Sequence, residues 1–207
     1  MKGFAPDLSI APKVERPFPA KEILWGSQEG GQNRFPTPDE AWGRKNSGNP
    51  IPLQKFGNAV ADAQERVWIV DDYLLKPDSG NLTKRIEQIL DWLPLSLAAS
   101  DIRLLTRQTQ GISEIELNKF KQRAQAINNH PARRGKLCSI RVKLHLSDRS
   151  CGFIHDRFAI VDDELWHFGG TVGGIHPQVS AASRGWRAAD HGAIDFFERI
   201  WNLGTWK

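Results

Sequence analysis

The chain has 207 residues, 40% of them hydrophobic, enough to bury one sizeable core. Its 28 Lys and Arg against 24 Asp and Glu leave a net charge of +4, and no run approaches the roughly 18 apolar residues of a membrane span. The opening MKGFAPDLSIAPKVERPFP is too broken by proline and charge for a signal peptide, so a membrane partner is disfavoured and a cytoplasmic location is expected.

Eight of the twelve prolines fall in the first 52 residues, together with GSQEGGQNRFPTPDEAWGRKNSGNP, which has no sustained period. Residues 1–52 therefore read as an irregular arm. Phe18, Ile23, Leu24, Trp25, Phe35 and Trp42 make it an arm that packs, either on its own domain or on a partner subunit. Other protein partners through this arm fit the same pattern.

From Leu53 to the end, residues 53–207, helix and strand patterns alternate. LQKFGNAVADAQERV has helical spacing, and VWIVDDYL is a β-branched apolar run. NLTKRIEQILDWL is an amphipathic helix with Leu82, Ile86, Ile89, Leu90 and Leu93 on one side. DIRLLT reads as a strand and SEIELNKFKQRAQAINN as a long helix, with Ser113 and Glu116 spaced as a capping box. SIRVKLHL alternates strictly, placing Ile140, Val142, Leu144 and Leu146 on one face and Arg141, Lys143 and His145 on the other. FIHDRFAIVD and ELWHFGG form a hairpin about Asp162 and Asp163, and AADHGAIDFFERIWN closes the chain as a helix. The order predicts an α/β domain, a mixed β-sheet flanked by helices.

Charge is unevenly placed: Asp101 to Arg157 holds 12 Lys and Arg against 5 Asp and Glu. A basic segment suits an anionic partner such as nucleic acid, and Arg141, Lys143 and His145 are weak candidates for contacting it. Cys138 and Cys151 belong to no Cys-x-x-Cys pair and read as reduced thiols. The eight tryptophans are spread along the chain and read as core and rim residues.

Within FIHDRFAIVD a strand period of two sends His155 and Arg157 to one face and Asp156 to the other. An imidazole beside a guanidinium suits a phosphate: the fork holds non-bridging oxygens while the ring reaches phosphorus or a leaving oxygen. Gly169 and Gly170 end the next strand, where a missing Cβ lets a ligand or a neighbouring strand come close. A metal pair of His155 and His167 lacks a completing carboxylate or thiol cluster, and GGTVGG lacks the Gly-Lys-Ser/Thr of a phosphate loop.

His155, Arg157, Asp162, Gly169 and Gly170 match every interval of the H-x-K-x4-D-x6-G-G/S signature, and the segment resembles the phospholipase D superfamily, with arginine where lysine is usual. WIVDDYL and DIRLLT look like that family's first core strands. The resemblance implies a phosphodiester-processing site that needs no metal or other cofactor and works through a phosphohistidine. By position, His155 is the nucleophile or the acid, Arg157 the phosphate clamp, and Thr171 a hydroxyl donor to the phosphate, beside Gly169 and Gly170. Asp162, counted with the catalytic set, reads more as an organiser of two strands. The carboxylate that fixes the histidine tautomer has three candidates, Glu198, Asp71 and Asp72. The family's site uses two such motifs and this chain has one, which implies a homodimer. The expectation is a dimeric, metal-independent nuclease acting on DNA or RNA. Its alternative is an inactive module that binds nucleic acid or acidic lipid phosphates, and a lipid-directed enzyme stands third.

Overall fold

The computed structural model of the chain describes residues 17–25, 34–47, 53–77, 81–146, 151–176 and 178–203. In chain order its elements are β1 (Glu22–Trp25), α1 (Pro38–Ser47), α2 (Gln54–Ala61), β2 (Arg66–Val70), α3 (Leu82–Leu90) and β3 (Asp101–Leu105). They continue as α4 (Glu114–Asn129), β4 (Ser139–Lys143), β5 (Phe158–Val161), β6 (Glu164–Phe168), β7 (Ala181–Arg187) and α5 (Ala193–Asn202). The seven strands make one mixed sheet in the order β1-β7-β6-β5-β2-β3-β4. β2, β3 and β4 run parallel, and every other pairing is antiparallel. The fold class is therefore the expected mixed α/β sheet with helices on it.

The central strands are apolar on both faces because both are covered. Along β2, Val67 and Ile69 enter the larger core with Phe56 and Val60 of α2, Ile86 and Ile89 of α3, and Phe120 and Ile127 of α4. Trp68 and Val70 enter the smaller one with Phe197, Ile200 and Trp201 of α5. Phe56 anchors the larger core, its ring edge-on to Trp92, Trp166 and Phe168 at 5.1–5.3 Å. In the smaller core Trp68 stacks on Phe197 at 4.7 Å and Phe197 on Trp201 at 5.7 Å.

The arm is not irregular throughout. Glu22–Trp25 adds an edge strand to β7, with Leu24 fully in the core. A capping box is formed here: Glu40 N–H donates to Thr37 Oγ1 at 3.3 Å and Thr37 N–H to Glu40 Oε2 at 2.6 Å. Arg34, bound to the same carboxylate, holds the Glu40 pKa down at about 2. Phe35 and Trp42 remain largely exposed. Ser113, by contrast, stands at the N-cap of α4 with no side-chain bond, and Glu116 turns to Thr83 and Lys119 instead. The first 16 residues of the arm, residues 26–33 and residues 48–52 lie outside the described residues.

Because Phe197 bridges Trp68 and Trp201 with no exposed surface, Phe197→Ala should cost about 3–5 kcal/mol, read as a lower midpoint in urea-induced unfolding. Phe196→Ala, two-fifths exposed on the same helix, should cost far less.

Candidate functional site

The parallel strands β2 and β3 point their C-terminal ends to the edge of the sheet where β6 also ends and β5 begins. Ligands of open α/β sheets collect at such an edge. β2 is followed at once by Asp71 and Asp72, both buried. Asp71 continues the ladder, its N–H donating to the Leu105 carbonyl at 3.1 Å. Its carboxylate accepts from Tyr73 N–H at 2.8 Å and from Val172 N–H at 2.8 Å. One buried acid thus ties the end of β2 to the turn after β6.

Arg157 donates from Nε to Asp72 Oδ1 at 3.1 Å and lies 3.5 Å from Asp71 Oδ1. The opposite edge of its guanidinium, Nη1 and Nη2, has no hydrogen bond recorded among the described residues. That leaves the fork open while the root is fixed. Burial pushes the Asp71 carboxyl up to about 7, outweighing the two backbone donors and Arg157, which favour the charged form. Arg107, just past β3, reaches Asp72 Oδ2 from the other side at 3.4 Å. Tyr73 packs under both arginines, 4.8 Å from Arg157 and 5.6 Å from Arg107.

The strand period does not extend to His155. β5 starts at Phe158, and Arg157 is the last residue in register before it, its carbonyl accepting from Phe168 N–H at 2.9 Å. Ahead of it the chain makes a tight turn, Ile154 N–H to the Cys151 carbonyl at 2.9 Å, pinned by the buried Cys151 and Ile154. Between and after these two, Phe153 and His155 face outward. Among the described residues no hydrogen bond to His155 is recorded. Asp71 and Asp72 are occupied by Arg157, and Glu198 accepts from Arg103 Nη1 at 2.9 Å, so none of the three candidate carboxylates holds the histidine.

Asp162 lies at the far end of β5. It adopts a left-handed φ of 54°, and its carboxylate accepts from the backbone N–H groups of Gln64, Glu65 and Arg66 at 2.7–3.2 Å. These bonds tie the end of β5 to the start of β2. Gly169 bonds Ala181 across the sheet, while Gly170 and Thr171 are buried. A Cβ on Gly170 would stand 2.3 Å from His176 Nε2, so a larger residue has no room here.

Several cations of the basic stretch are bonded within the fold. Lys143 Nζ donates to the Trp201 carbonyl at 2.7 Å and His145 Nε2 to that of Ile200 at 2.9 Å, closing the end of α5, where orphan carbonyls and the helix dipole both call for cations. Arg141 pairs with Asp101 at 2.6 Å beside Trp201. Arg103 spans Asp101 and Glu198 over the Trp68 ring, and Arg133 reaches the carbonyls of Leu97, Ala98, Ala99 and Lys136. Arg141, Lys143 and His145 thus fasten α5 to the strands beside it. Arg107 and Tyr73 were not singled out by any spacing. The signal available for their partners was the pair of acids closing an apolar strand, since buried carboxylates need cations.

Among the described residues no group of three or more His, Cys, Asp and Glu side chains is arranged to hold a metal ion, and no helix is long and apolar enough to cross a membrane.

No protein-family model matches the chain, and no curated protein does. Among solved structures it is similar to TrmBL2, an archaeal chromatin protein described as having a novel mode of DNA binding, at 12% identity and a TM-score of 0.44, over 92% of this chain and 55% of that one. It is also similar to Nuc, a phospholipase D family member from Salmonella typhimurium, at 10% identity and a TM-score of 0.47, over 88% of this chain and 94% of that one. A third is NucT from Helicobacter pylori, at 9% identity and a TM-score of 0.43, over 88% of this chain and 96% of that one. The chain thus spans little more than half the length of TrmBL2 and nearly the whole of the other two.

Asp71 keeps its proton in the native state up to about pH 7, whereas the unfolded chain releases it near pH 4. Between those values the native state binds more protons, so this group makes stability fall as pH rises, fully favourable below the window and lost above it. Thermal melts from pH 4.5 to 8 should show a decline that Asp71→Asn lacks, although the variant is less stable overall through its lost backbone acceptor. Parallel curves for the two proteins would refute the assignment.

Proposed function

We propose that this chain is a cytoplasmic phosphodiesterase of the phospholipase D type that cleaves nucleic acid without a metal ion, at a site completed by a second copy of itself. The observation that carries this reading is the setting of Arg157: its Nε is anchored to Asp72 and its two Nη groups are left to hold a phosphate, two residues from an exposed histidine. The signature intervals of His155, Arg157, Asp162, Gly169 and Gly170 support it from the sequence.

In the proposed reaction a ring nitrogen of His155 attacks phosphorus, and the bond from phosphorus to the leaving oxygen breaks. That oxygen takes its proton from His155 of the partner subunit. Water then attacks the phosphohistidine, giving its proton to the same partner imidazole, and His155 is released with the phosphate product. Arg157 neutralises the non-bridging oxygens throughout, and Asp72 keeps its fork at one angle. The turn that carries His155 leaves it outward, where a second copy can approach.

A second reading is favoured by one observation, that among the described residues no carboxylate is hydrogen-bonded to His155. In it the chain binds phosphates through Arg157 and turns nothing over.

The deciding experiment is cleavage of labelled single- and double-stranded DNA and RNA in excess EDTA, with molar mass measured in parallel. The wild type should cleave as a dimer, and His155→Ala should lose more than about a thousandfold in rate while still binding. Equal binding without cleavage by either protein supports the second reading, and cleavage restricted to phospholipid vesicles refutes both.

A further inference from the structure

Three cations meet around one ring at the sheet edge. Arg157, Lys76 and Arg107 lie 4.8, 5.1 and 5.6 Å from the centre of the Tyr73 ring, brought together from the start of β5, the segment after β2 and the loop after β3. Facing them are two carboxylates. Asp72 is shared between Arg157 and Arg107, and Asp71, held partly protonated near neutral pH, contacts Arg157. The cluster therefore carries an excess of positive charge at the edge where the candidate site lies.

The loop after β3 adds an unmet demand. Arg107 Nε is buried and has no hydrogen-bond partner among the described residues, and the same is true of Thr109 Oγ1 two residues on. An unpaired buried polar group is costly, so both are set for a partner that the described residues do not supply. The Arg107 side chain is 37% exposed and is the more open of the two arginines on Asp72, the other being 23% exposed. One phosphodiester carries one negative charge and would be met by Arg157 alone. Two further cations and two unpartnered polar atoms beside it match more than one phosphate.

We infer that Arg107 and Lys76, with Thr109, form a subsite that holds the phosphates flanking the one at Arg157, so that the ligand is a nucleic-acid strand and not an isolated phosphodiester or a lipid headgroup. This rests on the reading of Arg157 as the phosphate clamp. Tyr73 sets the spacing of the three cations, and Asp72 keeps Arg107 and Arg157 from separating. Each phosphate contacted releases condensed counterions, which makes the number of contacts measurable as a salt dependence.

The test is binding of a labelled single-stranded oligonucleotide as a function of salt, in the His155→Ala background so that nothing is consumed. Arg107→Ala should weaken binding several-fold and lower the slope of log affinity against log salt by about 0.7, with Lys76→Ala acting in the same direction and the double variant by about twice as much. Arg107→Lys, which keeps the charge beside Asp72 if the alanine variant folds poorly, should retain the slope but bind more weakly through loss of the Nε donor. Wild-type affinity in that variant overturns the proposal. So does an unchanged Arg107→Ala alongside a weakened Arg157→Ala, a result that leaves the clamp itself standing. If Arg157→Ala is also unchanged, the clamp reading fails and this subsite with it. Losses seen only on phosphatidylglycerol vesicles, with the oligonucleotide unaffected, overturn the assignment to nucleic acid.

Discussion

Two carboxylates taken out of water at the end of β2 set the terms for this edge of the molecule. Removing an acid from solvent costs several kcal/mol unless donors and cations replace the water, and Asp71 and Asp72 draw theirs from four separate segments. Tyr73 and Val172 supply backbone N–H groups, and Arg107 and Arg157 supply guanidiniums. The β2 end, the β3 loop, the approach to β5 and the turn after β6 are thus held to one another by polar bonds, where the hydrophobic cores stop. The same acids explain how a partly exposed arginine can have a fixed orientation: Asp72 takes its Nε and leaves its far edge unpaired among the described residues.

Much of the architecture was legible because strands and helices here carry strong periods. The run VWIV, apolar at every position, is a central strand covered on both faces, and of the stripe Leu82, Ile86, Ile89, Leu90 the last three are buried and Leu82 packs partly buried against the core. Where the reading failed, a local signal was weaker than a distant partner. Glu22–Trp25 forms a strand because β7 offers it an edge, in a region whose prolines suggest none. The strand β7 itself was not anticipated; AASRGWR contains a glycine and alternates poorly, yet Gly185 is required where a Cβ would meet the Ala20 carbonyl at 2.4 Å. The site divides in the same way. Spacing singled out His155, Arg157 and Asp162, but placed the histidine on a strand that begins three residues later. It had no means of finding Arg107, whose partner Asp72 is 35 residues away.

The basic segment carries the clearest lesson about composition. Its excess charge suggests an electrostatic surface, but several of its cations are bonded within the fold. Lys143 and His145 satisfy the last carbonyls of α5, and Arg103 and Arg141 share Asp101 while lying over Trp68 and Trp201. A helix rich in aromatic residues is clamped at its C-terminus by the parallel strands beneath it. Charge that is counted along the chain and charge that is open to a ligand are therefore different quantities.

The sheet also has two margins, β1 and β4, and neither is built like its centre. β1 is only four residues long and is preceded by Pro17 and Pro19, while β4 carries Arg141 and Lys143 outside its apolar row. A short strand behind prolines and a charged strand are both poor templates for strand addition from another molecule. The aromatic strands that would favour runaway stacking, with Trp68, Phe158, Trp166 and Phe168, are kept two or more positions in from either margin. The arm thus serves the colloidal behaviour of the protein as well as its architecture: it seals the open flank of the sheet, and its loss would uncover β7 and invite aggregation of otherwise folded molecules.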